Sequence, residues 1–354
     1  MVTLKEIAKR CNVSVTTVSN ILNGKPKVSE ETKKLVMDVV EELGYQPNYI
    51  AQGLRRQKTH TIGIIADDIS EFSTPKMIET IMAYCELKGY RTVVQNLRLF
   101  SRWGDEWYDK DQGYQAALDV ALNEFLSIKV DGMIYVGSYA RVIRCFPEKF
   151  PVPIVMAYAR LESDKVSSIM IDDEKGGYDM TKYLLSMGHK KIGLIGGRAD
   201  NIHTQKRLEG YKRALAEEGI EYAPLRVRFG SWDRMNGQIA MESLLETDIT
   251  AVFCMADQIA GGAYDCLERH GLLVGKDISV VGFDNQTISE YLKPALTTMK
   301  LPLVEIGNKA IQELLEMIGI DENEEEEWET KAKAYGNSYM PCQLIIRNSV
   351  EKLA

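Results

Sequence analysis

Two short amphipathic helices are predicted by residues 2–22, which read VTLKEIAKRCNVSVTTVSNIL. Thr3 and Glu6 form a capping box at the start of the first helix, because the threonine hydroxyl can accept from a free amide while the glutamate reaches back. After a break of about three residues, Ser14 can cap the second helix, which we place roughly from Val15 to Asn23.

A third helix is predicted over residues 30–43, with Ser29 as its cap. Its expected inner face consists of Leu35, Val36, Val39, Val40 and Leu43. Three short helices with a tight turn between the first two form a helix-turn-helix unit, in which the second helix presents its polar side outward. A small helical bundle that only packs against the rest of the chain is the alternative.

The distribution of charge favours a nucleic-acid-binding role for this segment. The chain of 354 residues has a formal net charge of −8, which by itself would argue against nucleic acid. Residues 1–58, however, contain ten Lys and Arg against six Asp and Glu, a net charge of +4. The other 33 Lys and Arg and 45 Asp and Glu give the rest of the chain a net charge of −12. A basic segment on an acidic body is typical of a nucleic-acid-binding module joined to a second function.

From Thr61 onward, short β-branched runs alternate with amphipathic helical segments. Strands are predicted at 61–66, 91–96, 132–136, 154–157, 167–171, 191–195, 226–229, 251–255 and 279–283. Helices are predicted at 75–88, 113–126, 176–187, 205–218, 234–245 and 259–270. This alternation predicts parallel sheets covered by helices on both faces. A break near residue 160 favours two α/β lobes over one large sheet, with a ligand cleft where the carboxyl ends of their strands meet.

Composition and motifs exclude several classes of protein. We identify no C-x-x-C pair among the six cysteines and no histidine partner at metal spacing, so free thiols in a reducing compartment are expected. No signal peptide or membrane-spanning run is recognised, which predicts a cytoplasmic protein without a membrane partner. Because no dinucleotide fingerprint or P-loop occurs and the four histidines are spread out, we expect no enzyme activity, no catalytic residues, no cofactor and no metal.

The chain resembles the lac repressor family, which includes the purine and galactose repressors, in motifs that run in order through nearly its whole length. In the basic head these are VTLKEIA (2–8), VSVTTVSNILN (13–23), VSEET (28–32) and ELGYQPN (42–48). In the body they are IGLIG (192–196), RLEGY (207–211), ISVVGFDN (278–285), PALTT (294–298) and LIIRNSV (344–350).

The resemblance implies an α/β protein in three parts. These are a three-helix helix-turn-helix head at 1–47, a hinge helix at 48–59, and a core at 60–354 with two lobes like those of periplasmic sugar-binding proteins. The first lobe is expected at about 60–160 and 300–320 and the second at about 161–298 and 335–354, with three crossings of the chain between them. Members act as homodimers on pseudo-palindromic, double-stranded operator DNA. No long heptad run follows Arg347, so we expect a dimer rather than a coiled-coil tetramer.

The second helix of the head is the expected reader of the major groove. By motif position, Val15, Thr16 and Asn20 are the base-reading residues, since an asparagine can bond adenine bidentately and a valine can contact a thymine methyl. Thr17 and Ser19 are expected at phosphates, which fix the register without reading the sequence.

Leu54, Arg55 and Arg56 end a segment that resembles the hinge helix of the family. Leu54 falls where the family inserts a leucine into the minor groove, and an apolar wedge there kinks the duplex. The two arginines are expected along the adjacent groove or phosphates. So short a helix should form only when paired with its dimer mate on DNA. A plain polar linker is the alternative.

Four residues match the effector site of the family, namely Arg207, Trp232, Asp257 and Asp284. An aromatic platform surrounded by carboxylates and a guanidinium suits a sugar or glycoside. Asn201 and His203 occupy positions where the purine repressor holds its purine, which makes a purine or nucleoside effector the less favoured alternative. Tyr158 replaces an aspartate that is common at that strand end.

Two further segments depart from the family pattern. Residues 97–112 are lengthened and contain Trp103, Trp107 and Tyr108. Because they follow a strand end, they are interpreted either as an aromatic lid for a larger glycoside or as a surface insertion. The acidic run at 321–329 is expected to be a surface segment without chemistry.

These observations predict a DNA-binding transcription regulator of repressor type. Its operator affinity is expected to be controlled allosterically by a small ligand, a sugar or glycoside, bound between the two lobes. A sugar-binding protein of the transport type would account for the lobes but not for the basic head, and is the alternative.

Overall fold

The computed structural model describes residues 2–22, 28–45, 58–104, 111–138, 142–143, 146, 150–161, 166–319 and 334–353. The chain separates into two compact units, Met1–Thr59 and His60–Ala354. Most of the predicted hinge helix lies outside the described residues, including Leu54, Arg55 and Arg56.

The first unit contains three described helices, α1 (Leu4–Arg10), α2 (Val15–Leu22) and α3 (Glu30–Glu42). The predicted caps are present, since the Thr3 side chain accepts from the amide of Glu6 and the Ser29 side chain from that of Thr32. A small core joins the helices through Ile7, Val18, Ile21, Val36 and Val39. Leu35, predicted on the inner face of α3, is 48% exposed instead. Val36 and Val39 form the buried side of the helix, and Leu35 lies about a quarter of a turn away from Val36.

The first lobe of the second unit is built on six parallel strands in the order β13-β7-β5-β3-β1-β2. Their bounds are β1 (Thr61–Ala66), β2 (Arg91–Asn96), β3 (Gly132–Val136), β5 (Ile154–Ala157), β7 (Ser167–Ile171) and β13 (Asn337–Met340). The helices of this lobe are α4 (Thr74–Leu87), α5 (Leu99–Trp103), α6 (Asp111–Ser127) and α12 (Leu303–Ile318), and β4 (Val142–Ile143) pairs with β6 (Arg160–Leu161). The central strands β1, β3 and β5 are buried along their full length, as a sheet covered on both faces requires.

The second lobe has four parallel strands in the order β11-β10-β8-β9. Its strands are β8 (Ile192–Gly196), β9 (Val227–Phe229), β10 (Ala251–Cys254) and β11 (Ser279–Val281). Its helices are α7 (Asp173–Ser186), α8 (Ile202–Glu217), α9 (Arg234–Leu244), α10 (Asp257–Arg269) and α11 (Ile288–Tyr291). An antiparallel ribbon of β12 (Thr298–Lys300) and β14 (Gln343–Ile345) stands beside it. The predicted α/β class with parallel sheets in two lobes is confirmed.

The predicted lobe boundaries are wrong in two places. Strand β7 pairs with β5, and β13 pairs with β7, so residues 167–171 and 337–340 belong to the sheet of the first lobe rather than to the second. The lobe of a strand is decided by its pairing partner, which an apolar run does not encode. The chain therefore crosses between the lobes after β7, after β12 and after β13.

Within the described ranges, no helix combines the length and the apolar composition needed to cross a membrane.

Candidate functional site

A cavity of about 220 Å³ lies where the carboxyl ends of the two sheets face each other. Its lining residues come from the loops that follow β1, β3, β5, β9, β10 and β11, from the first two turns of α8 and from the first turn of α10: Glu71, Phe72, Ser138, Tyr158, His203, Arg207, Trp232, Ala256, Gln258, Asp284 and Gln286. Ligands in open α/β sheets bind at this edge, so the fold places the cavity where a ligand site is expected.

Arg207, on α8, is fixed in place by several partners although it is almost completely buried. Its Nε donates to Asp173 Oδ1 at 2.8 Å, its Nη1 donates to the carbonyl of Met255, and its guanidinium lies 3.6 Å from the ring centroid of Phe283. Burial alone would lower the pKa of Arg207, but the charges of Asp173 and Asp284 outweigh it and raise that pKa. The cavity therefore holds a permanent, oriented cation.

Asp284 follows β11 and adopts φ +109°, a conformation that L-residues rarely occupy. Its Oδ1 lies 3.9 Å from Arg207 Nη1, and Gln286 Nε2 donates to its Oδ2 at 3.1 Å. Burial raises the pKa of Asp284 to about 7, although Arg207 pulls it the other way. Tyr158, which also lines the cavity, has φ +60°. Backbone strain of this kind clusters at ligand sites.

Trp232 supplies the large aromatic surface of the cavity. Its indole lies against Gly197, where a Cβ would come within 2.1 Å of the ring, so only glycine leaves room for it. The ring of His203 stands edge-on to the indole at 6.5 Å, and the guanidinium of Arg207 lies 5.8 Å from it. Three of the four predicted effector residues, Arg207, Trp232 and Asp284, thus line one cavity.

Asp257, the fourth predicted effector residue, does not line the cavity. It is fully buried at the start of α10, where its carboxylate accepts from Thr298 Oγ1 at 2.6 Å and from the amide of Gln286 at 2.7 Å. These bonds hold the segment that carries Asp284 and Gln286. Asp257 therefore lies behind the cavity wall, as a support for residues that form it.

His203 and Tyr158, which the sequence marked only as departures from the family pattern, both face the cavity. His203 Nδ1 lies 2.7 Å from Asp173 Oδ2, and its ring lies 5.3 Å from that of Tyr158. Burial would raise the pKa of Asp173, but His203 and Arg207 together lower it. Asp173 is thus the shared anchor of the two cavity residues on α8.

The first lobe contributes Glu71, Phe72 and Ser138, which the sequence analysis missed. Two buried carboxylates directly after β1 organise this wall. Asp67 accepts from the amide of Ser138 at 3.0 Å, and Asp68 accepts from the amide and the hydroxyl of Ser70. An Asp-Asp pair at a strand end was the signal that could have located this wall.

The lengthened segment at 97–112 begins as α5, which docks at the same edge of the sheet. Both the amide and the hydroxyl of Ser101 donate to Asp68 Oδ2 at 2.9 Å. Trp107 and Tyr108 lie outside the described residues, so the lid stays a prediction.

In the first unit, α2 places the predicted reading residues on one side. Thr16 is exposed, Val15, Thr17, Ser19 and Asn20 are half-buried, and Val18 and Ile21 form the buried side. The amide of Thr17 donates to Ser14 Oγ at 3.0 Å, which fixes the start of the helix. The predicted reading residues therefore lie off the buried side of α2, and their contacts with DNA stay a prediction.

Comparison with known proteins gives matches along the whole chain. A family model described as bacterial regulatory proteins, lacI family, matches residues 3–48, and one described as a periplasmic binding protein-like domain matches residues 181–350. The HTH-type transcriptional repressor PurR of Vibrio campbellii (strain ATCC BAA-1116) is 31% identical over 100% of both chains. The ribose operon repressor of Haemophilus influenzae is 32% identical over 90% of this chain and 92% of that protein.

Among solved structures, the lac repressor dimer bound to operator and the anti-inducer ONPF matches with a TM-score of 0.79 and 26% identity over 99% of each chain. These relatives are transcription regulators, and their similarity extends over both units described above. The chain therefore belongs to the lacI family of DNA-binding transcriptional repressors, whose members dimerise, bind operator DNA and carry a core that binds small-molecule effectors.

Proposed function

We propose that a sugar bound in the cavity between the lobes controls the affinity of this repressor for its operator. The observation that carries the proposal is the placement of Trp232, Arg207 and Asp284 around one cavity of about 220 Å³. The C–H face of a sugar packs on an indole, and its paired hydroxyls bond bidentately to a guanidinium or a carboxylate.

The size of the cavity favours a small sugar. Pockets for drug-sized ligands span roughly 300–1,000 Å³. A volume of about 220 Å³ suits a single sugar ring better than the larger glycoside.

A purine is the competing ligand class, because an indole also stacks on a nucleobase. The two residues at the purine-holding positions have other partners here. Asn201 caps α8 by accepting from the amide of His203 at 2.9 Å, and His203 Nδ1 is bonded to Asp173. Asn201 is not among the lining residues, which supports a sugar over a purine.

For the DNA-bound state we propose the roles that the family motif assigns. Val15, Thr16 and Asn20 read bases, while Thr17 and Ser19 contact phosphates. Leu54 acts as a minor-groove wedge, and Arg55 and Arg56 follow the adjacent backbone.

The proposed coupling acts through the crossings between the lobes. Ligand closes the cleft, rotates the first lobes of the two subunits relative to each other and changes the spacing of the hinge segments. A typical coupling of about 1–3 kcal/mol changes operator affinity roughly 5- to 150-fold. The sign depends on whether the closed or the open cleft fits the operator.

The test is a thermal-shift screen of monosaccharides, oligosaccharides and purines, followed by operator binding measured by fluorescence anisotropy. A monosaccharide should raise the melting temperature and change the operator affinity by a factor in the range above. In Trp232→Ala, both the thermal shift and the effect of the sugar on operator affinity should be lost. A thermal shift with purines alone, or a sugar shift that survives Trp232→Ala, would contradict the proposal.

A further inference from the structure

A second cluster of reactive side chains lies in the second lobe, on the facing sides of α9 and α10. It consists of Glu242 on α9 and of Cys266 and His270, which are four residues apart at the end of α10. His270 Nε2 lies 2.8 Å from Glu242 Oε1, and Cys266 Sγ lies 3.4 Å from Glu242 Oε2. The three ligand atoms all lie within 4.8 Å of one another.

We propose that Glu242, Cys266 and His270 bind a divalent cation of the zinc class. A thiolate, an imidazole nitrogen and a carboxylate oxygen are the ligands that Zn²⁺ takes, at about 2.3, 2.0–2.1 and 2.0–2.2 Å respectively. Tetrahedral ligands at those lengths are separated by roughly 3.3–3.8 Å. The sulfur–carboxylate separation of 3.4 Å falls within this range and the imidazole–carboxylate separation of 2.8 Å is shorter, so small rotations of the side chains would bring the three groups around one ion.

The two helices that carry the ligands are packed backbone to backbone. A Cβ at Gly237 would lie 2.0 Å from the carbonyl oxygen of Ile259, and one at Gly262 would lie 2.0 Å from that of Arg234. Arg234 also pairs with Asp265 across the same interface. The cluster lies about one helical turn beyond this contact, so the backbone positions of the three ligand residues are set before any ion arrives.

The exposed rim of the cluster gives the ion access from solvent. Cys266 is buried at the base of the cluster, while the side chains of Glu242 and His270 are 51% and 43% exposed at its rim. A groove lined by Glu246 and Ser243 continues from the rim, which leaves room for water as the fourth ligand. Arg269 Nη2 lies 4.0 Å from Glu242 Oε2 and must turn outward when the ion binds.

Binding requires the loss of one proton from the cluster. Burial, with the help of Glu242, raises the pKa of the Cys266 thiol to about 11. The incoming cation replaces that proton, which leaves to solvent as the sulfur–metal bond forms, and His270 binds as neutral imidazole. Affinity should therefore rise with pH.

Cys266 and His270 are four residues apart, and this pair alone does not identify a metal site in the sequence. On a helix, residues four apart lie on one face, and the third ligand comes from the neighbouring helix. The site is separate from the effector cavity and would cross-link α9 to α10, so its test is independent of the proposed function.

The experiment is a titration of chelator-treated full-length protein with Co²⁺, followed by displacement with Zn²⁺. One equivalent per chain should give visible bands and a near-ultraviolet thiolate-to-cobalt charge-transfer band, and Zn²⁺ should abolish both. Cys266→Ser should remove the charge-transfer band. Glu242→Gln and His270→Gln should keep that band at saturation but weaken binding at least about tenfold, since even the loss of an outer-shell partner costs that much.

Matched controls keep the proposal falsifiable if Cys266→Ser does not fold. His60→Gln removes an exposed histidine and Cys85→Ser a buried thiol, both in the first lobe, and both should bind Co²⁺ as the parent does. Glu242 and His270 are partly exposed, so their variants should fold, as circular dichroism would verify. The proposal is overturned if no charge-transfer band forms, or if Glu242→Gln and His270→Gln bind Co²⁺ as tightly as the parent does.

Discussion

At Asp284, burial opposes the charge of a carboxylate that the proposed sugar site would use as a hydrogen-bond acceptor. Arg207 is the nearest compensating cation, yet its Nη1 stays 3.9 Å from Asp284 Oδ1, while a full ion pair joins the same guanidinium to Asp173. Asp284 is thus left with acceptor capacity that is directed into the cavity. A ligand hydroxyl can use that capacity and stabilise the charged form.

We therefore expect sugar affinity to fall as the pH is lowered through about 7. The pKa of Asp284 is raised from 3.8 to about 7 in the ligand-free protein. Because it is raised, the folded state binds more protons than the unfolded state between these values, so this group makes the free protein less stable as the pH rises. A ligand that binds only the charged carboxylate must displace this proton at low pH. Its Kd should therefore be about tenfold weaker at pH 6 than at pH 8.

Calorimetric titrations with the sugar at pH 6, 7 and 8 measure this dependence. Asp284→Asn is the control, because an amide carries no titrating proton. This variant should bind the sugar more weakly than the parent, with a Kd that does not change between pH 6 and pH 8. A parent Kd that does not change with pH, or an equal slope in the asparagine variant, would refute the role given to Asp284.

At the scale of elements, α10 carries two adjacent glycines with very different surroundings, and only one of them lies against α9. A Cβ at Gly262 would collide with the carbonyl oxygen of Arg234 at 2.0 Å, whereas one at Gly261 would meet only Ile288 Cδ1, at an ordinary 3.4 Å. Alanine gains about 1 kcal/mol of helix propensity over glycine at either position. The difference between the two substitutions therefore reports packing alone.

Gly261→Ala should leave the free energy of unfolding unchanged or raise it by up to about 1 kcal/mol. Gly262→Ala should lower it by about 1–3 kcal/mol, because the helices must separate to admit the methyl group. Urea denaturation of chelator-treated protein, followed by circular dichroism, gives both values. Equal stability of the two variants would show that the helices are not held at the distance described.

The regular elements could be predicted closely, because a period of two or of 3.6 residues is a local property of the chain. Each strand predicted between residues 61 and 283 has a counterpart within two residues at either end. The placement of β13 in the first sheet could not be predicted, since it depends on pairing with β7, more than 160 residues earlier in the chain. The placement of β7 depends on its pairing with β5, which lies on the other side of the predicted lobe boundary near residue 160. The helix α5 was missed because its five residues are too few for a periodic signal.

The effector cavity was predicted only on one side. Arg207, Trp232 and Asp284 were identified because family motifs surround them, and their binding role stays a prediction. Ser138 and Phe72 come from the other lobe, where only the fold brings their strand ends to the cavity. Asp257 shares the strand-end position of a ligand residue, but its hydrogen bonds direct it into the protein.

At the scale of the whole molecule, the proposed coupling between the DNA-binding head and the effector core runs through a segment whose sequence predicts little helical stability of its own. Residues 48–56 are too short to form a helix alone in water, and Gly53 weakens one further by about 1 kcal/mol relative to alanine. The described helices α1 to α3, by contrast, share a buried core of their own. A ligand signal should therefore act on the hinge rather than on the reader.

We therefore expect Asn20→Ala and Leu54→Ala to behave differently. Asn20→Ala should remove the proposed base contact, worth about 1–3 kcal/mol, in both ligand states, so operator affinity should fall while the ratio of affinities with and without sugar is retained. Leu54→Ala should remove the proposed minor-groove wedge, whose action we expect to need paired hinge helices. Its operator affinity should fall mainly in the ligand state that binds the operator tightly. The ratio of operator affinities with and without sugar should therefore shrink towards one.

Anisotropy titrations on operator and on unrelated duplex DNA, each with and without sugar, measure both quantities. Leu54→Ala should weaken operator binding much more than binding to unrelated DNA, because phosphate contacts supply nearly all of the latter. Since coupling is reciprocal, operator DNA should also shift the sugar Kd by the same factor as sugar shifts the operator Kd, in the parent and in each variant. A full coupling ratio in Leu54→Ala, together with a lost one in Asn20→Ala, would place the control in the reader instead of the hinge.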